Sequence, residues 1–380
     1  MKVKPNDLHK IIKYPSQLDI SFTEQCNQDC DYCWADKSAK TRLDYNAIRK
    51  AIDIFCGLPL REKTVTFTTN EPLLDAALYK KTVNYLLSKR NPDNSIRIIT
   101  TTNGILLTKP VRDFIVERLN DNFWLNISLD GLRQSHDAHR KLRGKPGISA
   151  FDISWKHFSR LPRDKVRVIS TITQSEIGSF RQNMDFILDG GFRNLDVFAQ
   201  MYTLWSEPDL AALERGLRYL VARFNKNPEE RNNLRLLNRL WGDTHYAKLL
   251  FGSDARFYLF EWVLAIPYLR RRKFIVGDIL SGIDFDKRMA LFDELFYSAS
   301  KYKSSMPCKG CEYNTFCSYP LPLFLWCTYQ KRDFSSYFMN FCSIAKIFIR
   351  FSLEVAPPVK NDSDSIKLNK YFNATAKKPR

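Results

Sequence analysis

From residue 18 to about 200 the chain alternates short runs rich in β-branched and aromatic residues with longer segments whose apolar residues recur at helical spacing. The strands this pattern predicts are Leu18–Thr23, Thr64–Thr68, Arg97–Thr101, Phe123–Leu129, Val166–Thr171 and Asn194–Phe198. The helices predicted between them are Tyr45–Cys56, Leu74–Lys89, Pro110–Arg118, Ala150–Arg160 and Ser179–Asp189. Strand–helix alternation at this interval implies βαβ units and a parallel sheet. Six such units predict an α/β fold, a partial (β/α)6 barrel, with reactive groups on loops at the C-terminal strand ends.

Beyond residue 200 the pattern changes. Glu207 to Asn225 reads as one more helix and residues 226–250 as a polar connection. Residues 251–350 carry short aromatic-rich runs and a second group of cysteines. The apolar stretch Tyr337 to Val355 is broken by Lys346 and Arg350, so it predicts a partly buried helix and no membrane span. The expected organisation is an N-terminal extension over 1–17, the partial barrel over 18–225, the connection, a small Cys-rich domain over 251–350, and a disordered basic tail over 351–380.

Composition narrows the chemistry. Nine cysteines in a chain with no apolar signal segment at its start point to metal or redox chemistry in a cytoplasmic setting rather than to a disulfide frame. A formal net charge of +18 favours a polyanionic or acidic partner. The tightest basic run is Arg270, Arg271, Arg272 and Lys273. No nucleic-acid motif accompanies it, and a solvated basic surface explains the charge equally well.

Cys26, Cys30 and Cys33 stand at C-x3-C-x2-C spacing after the first strand. Three thiolates suit an iron–sulfur cube with one iron left open, whereas closed clusters take four cysteines. Thr69-Asn70-Glu71-Pro72 follows the second strand and Thr102-Asn103-Gly104 the third. Ser128-Leu129-Asp130-Gly131 closes the fourth, and His136-Asp137-Ala138-His139-Arg140 comes shortly after. In this order and spacing the chain resembles the radical S-adenosylmethionine (radical SAM) superfamily, and within it the enzymes with the cysteine-rich SPASM extension. Taken singly, each motif has a plainer reading: Glu71 as a helix cap, Arg140 as a surface ion pair, Ser128 as a strand-end hydroxyl.

The resemblance implies that Cys26, Cys30 and Cys33 hold a 4Fe–4S cluster, with Tyr32 on the adenine side of S-adenosylmethionine. It implies that Asn70 and Glu71 meet the methionine amine and that Ser128 and Arg140 touch the ribose and carboxylate. Thr69-Asn70 replaces the family's glycine pair, which normally lets backbone approach ligand closely. Cys308, Cys311, Cys317 and Cys342 resemble the ligands of the outer auxiliary 4Fe–4S cluster, with structural zinc as the competing reading. The inner auxiliary cluster is expected to be absent, because Phe260 and Leu321 occupy ligand positions. The expected iron content is therefore about eight per chain.

Two residues have a sharper and a blander reading each. Glu261 matches a general base of the sulfatase-maturing branch, or is an ordinary glutamate; Cys327 is a thiol hydrogen donor, or a buried small apolar residue. The resemblance implies a maturase of a ribosomally made peptide that makes a carbon–carbon or thioether crosslink, or an epimer. Sulfatase-type formylglycine formation and an RNA-modifying activity are the alternatives, nucleic acid being the less expected partner. An acidic leader peptide suits the charge, and a flavodoxin or ferredoxin would supply electrons. Residues 1–17 are too few for a leader-binding domain of roughly 80–100 residues. Leader recognition is then expected from the Cys-rich region or a separate protein.

Overall fold

The computed structural model describes residues 13–227, 247–303, 311–312 and 321–355. The chain divides into two compact units. Of the described residues, the first holds 13–127, 141–165 and 247–292, and the second 128–140, 166–227 and those from 293 onward.

In the first unit, β1 (Gln17–Ile20), β2 (Glu62–Phe67), β3 (Ser95–Thr102) and β4 (Phe123–Ser128) form a parallel array in that order. Their inward residues, Leu18, Val65, Phe67, Ile98, Leu125 and Ile127, are completely buried. α1 (Tyr45–Cys56) and α2 (Ala76–Ser88) make the crossovers, followed by α3 (Lys109–Val116). α1 buries Ala47, Ile48, Ala51, Ile52 and Phe55, a single stripe at helical spacing. Its Asp44 cap accepts from the Asn46 and Ala47 amides at 2.8 and 3.0 Å, which fixes where the helix begins. α5 (Ala150–Phe158) belongs to the same unit.

The second unit holds α4 (Arg133–His139), then β5 (Arg167–Ile172) parallel to β6 (Asn194–Ala199), with α6 (Phe180–Asp189) between them. α7 (Glu207–Lys226) follows, started by a reciprocal capping box of Ser206 and Asp209. All six strands expected from the alternation are present, and α1 and α7 fall within one residue of their expected spans.

The structure departs from the sequence reading after residue 247. β7 (Lys248–Phe251) begins inside the expected connection and pairs in parallel with β1, Lys248 opposite Gln17 and Phe251 opposite Ile20. Leu249, Leu250 and Phe251 are all fully buried. Three consecutive core residues carry no period by which a strand could be told from a helix. β8 (Arg256–Tyr258), β9 (Ile275–Asp278) and β10 (Gly282–Ile283) extend the sheet antiparallel beyond β7. Residues 247–292 therefore belong with the first unit, rather than with one block spanning 251–350. α8 (Phe285–Lys303), α9 (Leu321–Gln330) and α10 (Phe334–Val355) complete the described chain. No helix among the described residues is long and apolar enough to cross a membrane.

Candidate active site

The loop after β1 is closed at its base and tied along its length. Leu43 N donates to Phe22 O at 2.9 Å, and Thr23 bridges Arg42 in antiparallel fashion. Gln25 Nε2 donates to Lys37 O (3.1 Å) and Ala39 O (2.5 Å), and Lys37 Nζ reaches back to Gln28 O at 2.8 Å. At the tip, Asp29 takes a fork from Arg143 at 2.7–3.1 Å, and Asp31 accepts from Lys141 at 3.1 Å.

This loop carries Cys26 and Cys30, both half-buried, and Cys33, which is exposed; none is in a disulfide. Cys33 N donates to Cys30 O at 3.0 Å. Burial, and after it the charge of Glu71, pushes the Cys26 thiol up to about 11. Tyr32 is half-buried, and Trp34 meets Trp262 with ring centroids 4.3 Å apart. Among the described residues, no three Cys, His, Asp or Glu side chains converge as a metal-holding group.

The ends of β2 and β3 meet through Glu71. Its carboxylate accepts from Leu73 N (3.0 Å), Thr102 Oγ1 (2.9 Å) and Asn103 N (2.9 Å), and the residue is 1% exposed. All three donors are neutral, so burial prevails and raises the carboxyl to about 7. Asn103 then joins this carboxylate to the cysteine loop. Its Nδ2 donates to Asn27 Oδ1 at 2.7 Å and lies 3.7 Å from Cys26 Sγ. Gly104 follows with φ 81°, and a Cβ there would come 2.3 Å from the Phe158 ring. That turn accepts no side chain.

Asn70 has φ 56°, the left-handed conformation that a glycine would adopt freely. Asparagine is among the few side-chain-bearing residues that visit it routinely. The Thr69-Asn70 replacement thus keeps a glycine-like turn. It also adds two buried oxygens, Thr69 Oγ1 and Asn70 Oδ1, which have no hydrogen-bond partner among the described residues; the same is true of Asn27 Nδ2 and Gln28 Nε2 across the way in the cysteine loop. Buried polar atoms are nearly always satisfied. Unsatisfied amides and a carboxylate without a cation, beside three thiols, fit a cluster that binds thiolates and a ligand bearing an ammonium group.

Ser128 and Arg140 lie in the second unit, both buried. Arg140 makes a bidentate fork with Asp130, Nε at 2.8 Å and NH2 at 3.1 Å. Asp130 also accepts from Thr171 N at 2.9 Å. His136 is fully buried beside them, and desolvation lowers it to about 4.

Glu261 is buried in an ion pair with Lys248 Nζ at 2.6 Å. Lys248 stands opposite Gln17, at the start of β1, whereas the cysteine loop follows the end of that strand. Cys327 is completely buried in α9, and burial pushes its thiol up to about 12. Cys311 and Cys342 are half-buried, the latter on α10; Cys308 and Cys317 fall outside the described residues. Phe260, at the expected inner-cluster position, is fully buried 5.8 Å from the Phe292 ring.

Asn103 was legible as part of the Thr-Asn-Gly run after a strand, without its link to Cys26. Lys248, Arg143 and Arg271 carry no local signal; the carboxylates they pair with lie 13 to 247 residues away.

Comparison with known proteins agrees with this geometry. Residues 20–167 match the family model of the radical SAM superfamily. An uncharacterized protein of Methanocaldococcus jannaschii is 30% identical over 129 residues, 34% of this chain and 43% of the relative. The GTP 3',8-cyclase of Petrotoga mobilis is 33% identical over 130 residues, 32% of this chain and 38% of the relative. The chain thus spans less than half the length of these curated relatives. A solved structure of native anSMEcpe with bound AdoMet is 15% identical, with a TM-score of 0.67 over 94% of this chain and 99% of that one. At that identity the likeness speaks for the fold, an α/β architecture whose parallel sheet resembles the radical SAM partial barrel. The chain carries a radical SAM domain over residues 20–167.

Proposed function

We propose that this chain is a radical SAM maturase that abstracts hydrogen from a ribosomally made peptide, forming a crosslink or an epimer. The observation that carries the reading is Glu71. A buried carboxylate met only by neutral donors, and tied through Asn103 to Cys26, is made to receive a cationic ligand end. Cys26, Cys30 and Cys33 would hold the cluster, and Tyr32, Asn70, Glu71, Ser128 and Arg140 the S-adenosylmethionine. A cluster held by these thiols would supply one-electron reducing chemistry toward the sulfonium of S-adenosylmethionine. The protein's part is to fix the thiols, seat the amine on Glu71 and keep water from the reacting carbon.

A peptide substrate is supported by fold likeness to a solved structure of native anSMEcpe with bound AdoMet and Cp18Cys peptide, TM-score 0.67. The formal charge of +18 suits an acidic leader on that peptide. In this reading Cys308, Cys311, Cys317 and Cys342 hold one auxiliary 4Fe–4S cluster of the SPASM type. The buried apolar surroundings of Phe257 and Phe260 are consistent with the loss of a second one. Formylglycine formation ranks behind, because the Glu261 carboxylate is already engaged by Lys248.

The test is anaerobic reconstitution of the chain, reduction, and incubation with S-adenosylmethionine and a peptide bearing an acidic leader. Formation of 5′-deoxyadenosine, with a peptide lighter by two hydrogens or epimerised at one residue, is the expected result. Absence of a paramagnetic signal after dithionite, or zinc on the three thiols, would overturn it.

A further inference from the structure

The basic run Arg270–Lys273 is split by the structure. Arg270, Arg272 and Lys273 are exposed, whereas Arg271 is 1% exposed and among the largest fully buried side chains of the described residues. Its guanidinium spends its donors on two acidic residues and two carbonyls. NH1 donates to Glu24 Oε2 at 2.5 Å; NH2 donates to Asp36 Oδ2 at 3.2 Å and to Leu264 O at 3.3 Å; Nε donates to Ile266 O at 2.5 Å. Glu24 stands two residues before Cys26, and Asp36 three residues after Cys33. One cation therefore grips the loop on both sides of its thiols.

The grip is reinforced from the same stretch of chain. Asp36 N donates to Leu264 O at 2.7 Å, and Tyr268 N donates to the Asp36 oxygen that Arg271 holds, at 3.0 Å. On the other flank Ser253 Oγ donates to Glu24 Oε1 at 3.3 Å and shares a 2.7 Å contact with Thr41 Oγ1. The planar fork of arginine can serve two carboxylates and two carbonyls at once, which the single ammonium of lysine cannot do in one geometry.

We propose that Arg271 is a positioning residue, a buried guanidinium that pins both flanks of the three-cysteine loop and sets the span over which the sulfurs are presented. This rests on the reading that those thiols hold the cluster. A loop whose ends are already fixed gives up less conformational freedom when three of its side chains are drawn onto one ligand. Supporting groups around a metal site act in this way on the ligands they orient.

Four variants of the full chain test it. Arg271→Met removes the fork but leaves Glu24 buried without a cation. Arg271→Met with Glu24→Met removes both charges, so stability and positioning can be told apart. Arg271→Lys keeps the charge, and Asp36→Asn loosens one flank alone. The first measurement is the alkylation rate of Cys26, Cys30 and Cys33 in the iron-free protein, read residue by residue by mass spectrometry. The second is the rate of cluster assembly from iron and sulfide, with the spectrum of the reduced product.

In the double variant the melting temperature is expected to stay near that of the parent. Its loop thiols are expected to alkylate faster and its cluster to assemble roughly tenfold more slowly. Arg271→Lys should recover part of both effects, and Asp36→Asn should show a smaller change of the same sign. Parental alkylation and assembly rates in a folded double variant would overturn the proposal. If that variant does not fold, unchanged rates in Asp36→Asn overturn it. Should the parent itself assemble no cluster, the reading of the thiols fails, while the alkylation rates still decide the clamp.

Discussion

Glu71 and Arg140 are both assigned to the same ligand by resemblance, yet their surroundings are opposite. Glu71 is a buried carboxyl with no cationic partner among the described residues, flanked by loops that hold four amide and hydroxyl atoms likewise without a partner there. Arg140 is a buried cation fully engaged by Asp130, which is itself held by Thr171 N. The Arg140–Asp130 pair is balanced in charge, whereas Glu71 has no opposite charge beside it among the described residues. Family likeness assigns a shared role; the balance of charge says which residue is waiting and which is occupied.

The largest expected effect removes the thiols that make the first region reactive. Cys26→Ala should reduce 5′-deoxyadenosine formation by more than about a hundredfold, as measured by chromatography of the quenched reaction. The comparison itself is broken if Arg140 behaves like Glu71. Arg140→Met strands the buried Asp130 carboxylate and should cost about 3–5 kcal/mol of folding stability. Adding Asp130→Asn should restore most of it. Denaturant unfolding of the two variants decides this; a stable Arg140→Met with only a binding defect would show that the fork does not hold the fold.

Acid sharpens the same contrast. His136 titrates at about 4 in the folded chain instead of 6.5, so its contribution is complete above pH 6.5 and is lost as pH falls toward 4. The loss amounts to about 3 kcal/mol. Burial is the largest cause and the Arg140 charge adds to it, whereas the Asp130 and Asp137 charges oppose it without prevailing. Glu71 has the opposite sign. Its folded value, about 7 against 4.5, means that its penalty is present above pH 7 and is relieved as pH falls toward 4.5. Relative to the parent, His136→Gln should therefore gain stability on acidification and Glu71→Gln should lose it. Thermal melts across pH 5 to 8 read both slopes.

A smaller effect concerns binding. If the ionised Glu71 receives the ligand amine, affinity for S-adenosylmethionine should rise about tenfold as pH climbs through 7, and Glu71→Gln should abolish that rise. The smallest effect is expected far from either region. Cys327→Ala removes one buried sulfur and should cost about 1 kcal/mol, leaving 5′-deoxyadenosine formation intact.

Much of the first unit was legible because its elements announce themselves locally. α1 matches its expected span because an Asp44 cap and a five-residue apolar stripe coincide there. The strand-end motifs were legible for the same reason: Glu71 and Asn103 follow strands whose alternation is clear. β7 was missed because Leu249, Leu250 and Phe251 are buried on every side and show no alternation. The lysine and arginine roles were illegible in principle. A run of four basic residues reads as solvated surface, and nothing near Arg271 in the chain reveals that Glu24, 247 residues away, makes one of them a core residue. Glu261 has the same lesson: its partner Lys248 arrives from a strand that sequence periodicity did not show.

The cysteine loop is fastened unevenly, and this bears on how the protein should be handled. Its base is gripped where water does not reach, but its tip depends on Arg143 with Asp29 and Lys141 with Asp31, pairs whose side chains are roughly one-third to three-fifths exposed. Mobile counter-ions weaken the second kind of contact and leave the first almost untouched. Concentrated salt in a purification buffer would thus slacken the arc that bears Cys30 while its anchors stay seated. Dilute buffer is the condition in which this arc is best ordered for loading.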